Sequence, residues 1–243
     1  MLIPEAYIPT ATGHPATGRG STDRVLTYLL EGLVSGTIHQ GEWVNAKKLA
    51  ILLDVTIVPV REALHYLAGV GLIELLPLRG ARIRSLSVPE ILSRFEIFCS
   101  LGSIGLKHAA RVVSDSKSNT SKIAEATEQI TAAFNRVPHP SFIMRMLNFH
   151  QVLHEIAGLK VLDDSIRQLQ VVLWCISLPE VISFDTYGRS FVRNYQRISD
   201  NVLWGNGPSA VAAFQHHSDW ACTIIAGERP DPDAAYVPVT AIN

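Results

Sequence analysis

Cysteine is scarce in this chain: Cys99, Cys175 and Cys222 are the only three in 243 residues, and no Cys-x-x-Cys occurs. So wide a spacing argues against a disulfide framework or a thiolate zinc site, and fits small core side chains in a reducing compartment. No apolar run approaches the ~18 residues that a bilayer-spanning helix needs. Met1-Leu-Ile-Pro-Glu5 lacks the basic start and apolar stretch of a secretory signal. A cytoplasmic protein with no membrane partner is therefore expected. Excess charge is missing too: 21 Lys and Arg stand against 22 Asp and Glu, for a formal net charge of -1. Such a chain does not hold polyanions by bulk charge, so any contact with nucleic acid must come from a local patch. Nucleophile elbows and phosphate-binding glycine loops are also absent from the sequence.

What is present is a globular composition, 47% apolar and 18% charged, long enough to bury a core in one or two domains. Residues 1–21 are rich in Pro, Thr, Gly and Ala and read as a flexible arm, with Arg19 near its end as a cation able to meet a phosphate. Ser21-Thr-Asp23 offers N-cap residue types for a first helix to about Ser35, where Val25, Leu26, Leu29, Leu30 and Leu33 form one apolar stripe. A short second helix is expected over 45–53, capped by Asn45, with Leu49, Leu52 and Leu53 turned inward. A third runs from Val58 to Gly69, its buried face Val60, Ala63, Leu64 and Leu67 at i, i+3, i+4 and i+7. Pro59 falls in its first turn, where a missing N–H costs nothing. Leu72–Leu76 and Ala81–Ser85 read as strands joined through Pro77-Leu-Arg-Gly80.

After a linker-like Ser85-Leu-Ser-Val-Pro89, helical periods continue to about residue 228, with candidate helices at 89–114, 119–136, 139–157, 160–177, 187–204 and 208–226. The breaks are polar or carry Pro or Gly, Ser177-Leu-Pro179 among them. Residues 230–243 are expected to be irregular. The fold class is mainly α: a winged helix-turn-helix over 22–86, then an all-α bundle of six to seven helices over 87–229.

In a helix-turn-helix, the start of the second helix meets base edges, so the reading side chains come from about Thr56 to Arg61. Free N–H groups there favour a phosphate, and Arg61 can fork onto a guanine edge. Gly80 lets backbone approach the duplex at the wing tip, and Arg79 beside it can reach a minor groove or a phosphate. Residues 23–86 hold seven Lys or Arg against six acids, a balance of +1. Position therefore matters more than sum. Each cation also has a plainer description: Arg61 on a solvated helix face, Lys47 and Lys48 as an exposed pair, Arg82 and Arg84 as solvent-facing strand residues.

Pro59-Val-Arg-Glu-Ala-Leu64, followed by Gly71-Leu-Ile-Glu74 and Arg79-Gly80, resembles the DNA-binding domain of the GntR family of bacterial transcription regulators. The resemblance covers about sixty residues. It implies DNA contacts from Lys47, Thr56, Ile57, Val58, Pro59, Arg61, Arg79 and Gly80. Lys47 stands where the family places its first DNA-contacting arginine, and Thr56 replaces a serine. Ile57 replaces a second contacting arginine, Val58 a threonine and Ala46 a glutamate. Ile57 offers only apolar contact, as to a thymine methyl.

The helical remainder resembles the FCD class of effector domains, through Asn148-Phe-His-Gln-Val-Leu-His-Glu-Ile-Ala-Gly158 and Ile198-Ser-Asp-Asn-Val-Leu-Trp-Gly-Asn206. Many such domains hold a divalent metal with one Asp and three His. Here His150 and His217 match two of the four ligands, while Met146 stands for the aspartate and Tyr195 for the middle histidine. A zinc-like ion between His150 and His217 would be weakly held, so no metal or other cofactor is expected to be required. The resemblance implies effector contacts from His150, Tyr195 and His217, with a small metabolite as ligand. His154, four residues after His150, fits a metal-like spacing or a hydrogen-bonded core histidine. Trp174, Tyr195 and Trp204 fit either a pocket lining or aromatic core.

The expected function is that of a ligand-responsive, non-enzymatic transcriptional regulator. It would be a homodimeric repressor on a palindromic double-stranded operator, released by an organic acid or other metabolite. Two alternatives stay open: a metal-dependent enzyme built on the helical bundle, and a degenerate regulator that no longer binds DNA.

Overall fold

A computed structural model describes residues 20–134 and 136–232. The expected arm as far as Arg19, and the tail beyond residue 232, lie outside the described residues.

Helix α1 spans Ser21–Ser35 and buries Val25, Leu29, Leu30 and Leu33 of its expected stripe, while Leu26 is half-buried at the edge of the core. Its cap is Gly20, so the Ser21-Thr-Asp23 side chains lie inside the first turn. Strand β1 (Trp43–Val44) comes next, then α2 (Ala46–Leu52), α3 (Ile57–Gly69), β2 (Ile73–Leu76) and β3 (Gly80–Ile83). Asn45 caps α2, its side-chain oxygen accepting from the Lys48 N–H at 3.0 Å. Only Leu49 of the expected inward leucines is buried; Leu52 is 63% exposed, because α2 ends there and its last turn leaves the core. The three strands pair antiparallel in the order β1-β3-β2. Two-residue β1 is too short to show any alternation, and sequence reading missed it.

The register sets Trp43, Arg82 and Glu74 side by side across the sheet. Arg82 donates to Glu74 at 2.8 Å and lies over the Trp43 ring at 5.8 Å. Arg84, just past β3, pairs with Glu90 at 2.9 Å. Both arginines are thus tied to carboxylates. Glu90 in turn has its pKa lowered, chiefly by the Ser87 backbone N–H and hydroxyl and further by Arg84.

Among the described residues seven α-helices follow: α4 (Val88–Val112), α5 (Lys117–Ala133), α6 (His139–Ala157), α7 (Lys160–Arg167), α8 (Val171–Val181), α9 (Phe184–Leu203) and α10 (Gly207–Ile225). Ser87 and Glu90 form a reciprocal capping box that starts α4. The single helix expected over 160–177 is two. The chain turns at Gln170, whose φ of 53° is left-handed, and the Gln170 amide oxygen accepts from Arg84 and Arg94. Pro179 does not end α8 either; in its last turn a proline removes a single N–H bond.

The head formed by α1–α3 and β1–β3 packs on the helical bundle that follows. Ser141 of α6 donates to the Val34 carbonyl at 2.9 Å. Gln40 donates to the Ile176 carbonyl, and its amide oxygen accepts from Ser177 at 2.7 Å. Inside the bundle α4 approaches α6 closely at Gly105, where an added Cβ would lie 2.4 Å from the His154 ring. Gly105→Ala is therefore expected to cost about 1–3 kcal/mol, the usual range for overpacking, read as a lower urea midpoint. An unchanged midpoint would mean that the two helices are not in contact there.

Candidate nucleic-acid interface and buried histidine cluster

Helix α3 buries Val60, Ala63, Leu64 and Leu67 and turns Arg61 to solvent. Lys47 comes from the first turn of α2, and Arg79 with Gly80 from the β2–β3 tip. All four line one groove of about 570 Å³, together with Ile57. Gly80 has φ 97°, a conformation that L side chains rarely adopt, so the tip needs glycine for its backbone. Among the described residues no salt bridge holds Lys47, Arg61 or Arg79, in contrast to Arg82 and Arg84. Lys48 lines a different groove, beside Trp43 and Ile51.

Three expected contacts fall outside the lining of that groove. Thr56 is the exposed N-cap of α3, and its hydroxyl makes no capping bond, which leaves first-turn N–H groups open. Val58 stands 58% exposed, and Pro59 is half-buried in the first turn. Two residues that sequence reasoning passed over do line the groove: His65, one helical turn after Arg61, and Leu78. Spacing from Arg61 was signal enough for His65; nothing in the sequence marked Leu78.

The second expected site lies inside the bundle. Tyr195 of α9 and His150 of α6 hydrogen-bond through OH and Nε2 at 3.1 Å. His217 of α10 lies edge-on to Tyr195, ring centroids 5.4 Å apart. All three are buried, with Phe98 and Phe214 packed on His150. His217 Nδ1 meets the Asn194 side-chain nitrogen at 3.1 Å, a partner that sequence reading did not find. Burial first, then nearby histidines, pushes the His150 pKa well below its usual value, and burial with His216 takes His217 down to about 3. Both rings are neutral at physiological pH.

These residues do not suit a divalent metal. His150 Nε2 is occupied by a phenol, the position expected to supply a carboxylate holds buried Met146, and no group of three His, Cys, Asp or Glu gathers among the described residues. His154 is turned elsewhere, its Nδ1 2.7 Å from Asp163. Trp174 is buried beside Phe98, whereas Trp204 is 77% exposed, so the three aromatics do not form one lining. Burial lifts the Cys99 thiol to about 12 and raises Cys175 as well, which suits core packing rather than chemistry.

No family model matches the chain. Over 150 residues, 62% of its length, it is 25% identical to the HTH-type transcriptional repressor RspR of Escherichia coli K12. It is equally similar to an uncharacterized HTH-type transcriptional regulator, YdfH, of Shigella flexneri. The chain spans 65% of the length of these curated relatives. Among solved structures, E. coli McbR/YncC is similar with a TM-score of 0.68 at 19% identity, covering 86% of this chain and 98% of that one. A putative GntR transcriptional regulator from Rhodococcus sp. RHA1 reaches 0.72 at 19% identity, with 86% and 99% covered.

Proposed function

We propose that this chain, built on the fold of the GntR-type regulators it resembles, is a DNA-binding transcriptional regulator. Residues 22–86 form its DNA-binding domain and 87–229 its effector-binding and dimerisation domain. One observation carries the reading: Arg61 stands exposed on the reading helix and shares a groove with Lys47 and the Arg79-Gly80 wing tip. Guanidinium groups in such a groove meet guanine edges, while the flanking cations meet phosphates.

The partner is a palindromic duplex, read by a homodimer. Support for the dimer comes from α4, whose Ile97 and Ile104 are 49% and 45% exposed seven residues apart, an apolar stripe on the outside of the bundle. Ile97→Asp is expected to convert dimer to monomer in sedimentation and to weaken operator binding. A dimer that survives the substitution places the interface elsewhere.

A small metabolite bound among His150, Tyr195 and His217 would release the operator, making the protein a repressor. Support comes from a buried polar atom without a partner in that cluster, His150 Nδ1. Such groups are rare in protein cores, and a ligand that opened the cluster would satisfy this one. No helix among the described residues is long and apolar enough to cross a membrane, in keeping with a cytoplasmic site of action. The deciding experiment is a gel shift on the gene's own upstream region over a range of salt. A sequence-selective, salt-steep shift is the expected result. No shift at low salt would leave the degenerate regulator, and turnover lost on chelation would favour the enzyme.

A further inference from the structure

Leu78 sits at the tip of the wing with nothing to pack against. Its exposure is 109%, whereas the next most exposed large apolar residues reach 81% at Ile51 and 80% at Val161. Its backbone is also unusual, with φ 62° in the left-handed region. The other non-glycine residues there, among the described residues, are Asp54, a type that tolerates the conformation, and Gln170, held by Arg84 and Arg94. Leu78 has neither excuse. The tip is nonetheless well defined: Leu76 pairs with Gly80, the Arg79 N–H donates to the Leu76 carbonyl at 3.1 Å, and Pro77 fixes the entry.

We propose that Leu78 is an apolar wedge that enters the minor groove of the operator, partly unstacks one base step and bends the duplex. This rests on the DNA-binding reading above. A strained, solvent-facing leucine is costly in the free protein and gains its contacts only from a partner. Charge identifies that partner as a duplex, because Leu78 lines the same groove as Arg79 and Lys47, cations suited to phosphates beside an inserted side chain, and as Arg61, which reads a base edge. Apolar wedges flanked by cations enter between base steps, most readily at flexible pyrimidine–purine steps. Ile57 and Val58, apolar side chains at the start of the reading helix, offer bases no hydrogen bond and leave more of the discrimination to such deformability. The operator should therefore carry a TA or CA step where each wing falls.

The test uses the full-length protein with Leu78→Asn and Leu78→Gly, both of which suit a positive φ and should leave the thermal midpoint equal or higher. Bending is read from energy transfer between labels at the two ends of the operator. Wild type should bend it by about 20–90°, the range seen with intercalating side chains. Both variants should bend it much less and bind on the order of tenfold more weakly, with the salt slope unchanged because no charge is removed. Arg79→Ala should instead lower the slope by about one for each wing. Variants that bind and bend like wild type overturn the wedge and leave DNA binding intact. A wild-type protein that shifts no DNA at low salt overturns both.

Discussion

Arg61→Ala is expected to remove selective operator binding while leaving the fold untouched. A forked arginine–guanine pair contributes about 1–3 kcal/mol of discrimination, and a dimer uses two, so the loss is about 2–6 kcal/mol, or roughly 30-fold to 10⁴-fold in Kd. Exposure of the side chain and the lack of a salt bridge to it mean that the thermal midpoint should not move. Arg61→Lys separates geometry from charge, since lysine keeps the cation and loses the fork; most of the discrimination should go while random DNA is still held. Lys47→Ala should behave differently, weakening operator and random DNA alike and flattening the salt dependence. Equal loss of operator and random DNA on Arg61→Ala would make it a phosphate contact. No loss at all would sink the reading helix as assigned.

The parts of this fold that depend on neighbours in sequence were legible. The stripe of α1, the Asn45 cap and the buried face of α3 came out as their periodicity requires, because each needs only one surface to pack against. Contacts made across the fold were not legible. Gln170 breaks the expected 160–177 helix because its amide reaches Arg84 and Arg94, residues more than seventy positions away. Arg82 and Arg84 read as free cations until the sheet brought Glu74 beside one and the start of α4 brought Glu90 beside the other. In the head, Arg61, Lys47 and Arg79 do share a groove, yet Leu78, its most exposed lining residue, carries no sequence signal because leucine in a turn is unremarkable until its φ and exposure are known. In the bundle, the resemblance pointed to His150, Tyr195 and His217, and the helices bring them together. It did not foresee that Tyr195 would bond directly to His150, or that Asn194 would meet His217.

Acid should unfold the protein over a window set by those same histidines. In the folded chain His150 and His217 resist protonation, His217 down to about 3, because burial penalises the cation. An unfolded chain takes up the proton near the ordinary value of 6.5. Between those values the unfolded state binds more protons than the folded one, so stability rises with pH and is lost as pH falls below about 6.5. His217 contributes about 2 kcal/mol of loss between pH 8 and pH 5, a sizeable fraction of the stability of an ordinary domain, and His150 adds to the loss in the same direction. Urea unfolding at pH 8, 6.5 and 5 reads this directly as a falling midpoint at constant slope. His217→Gln supplies the control: it cannot titrate but still offers Asn194 an acceptor, so the His217 share, about 2 kcal/mol between pH 8 and pH 5, should disappear whatever the substitution itself costs. Equal midpoints at pH 8 and pH 5 would mean that the rings are solvated, and the closed core around His150 and Tyr195 would have to be abandoned.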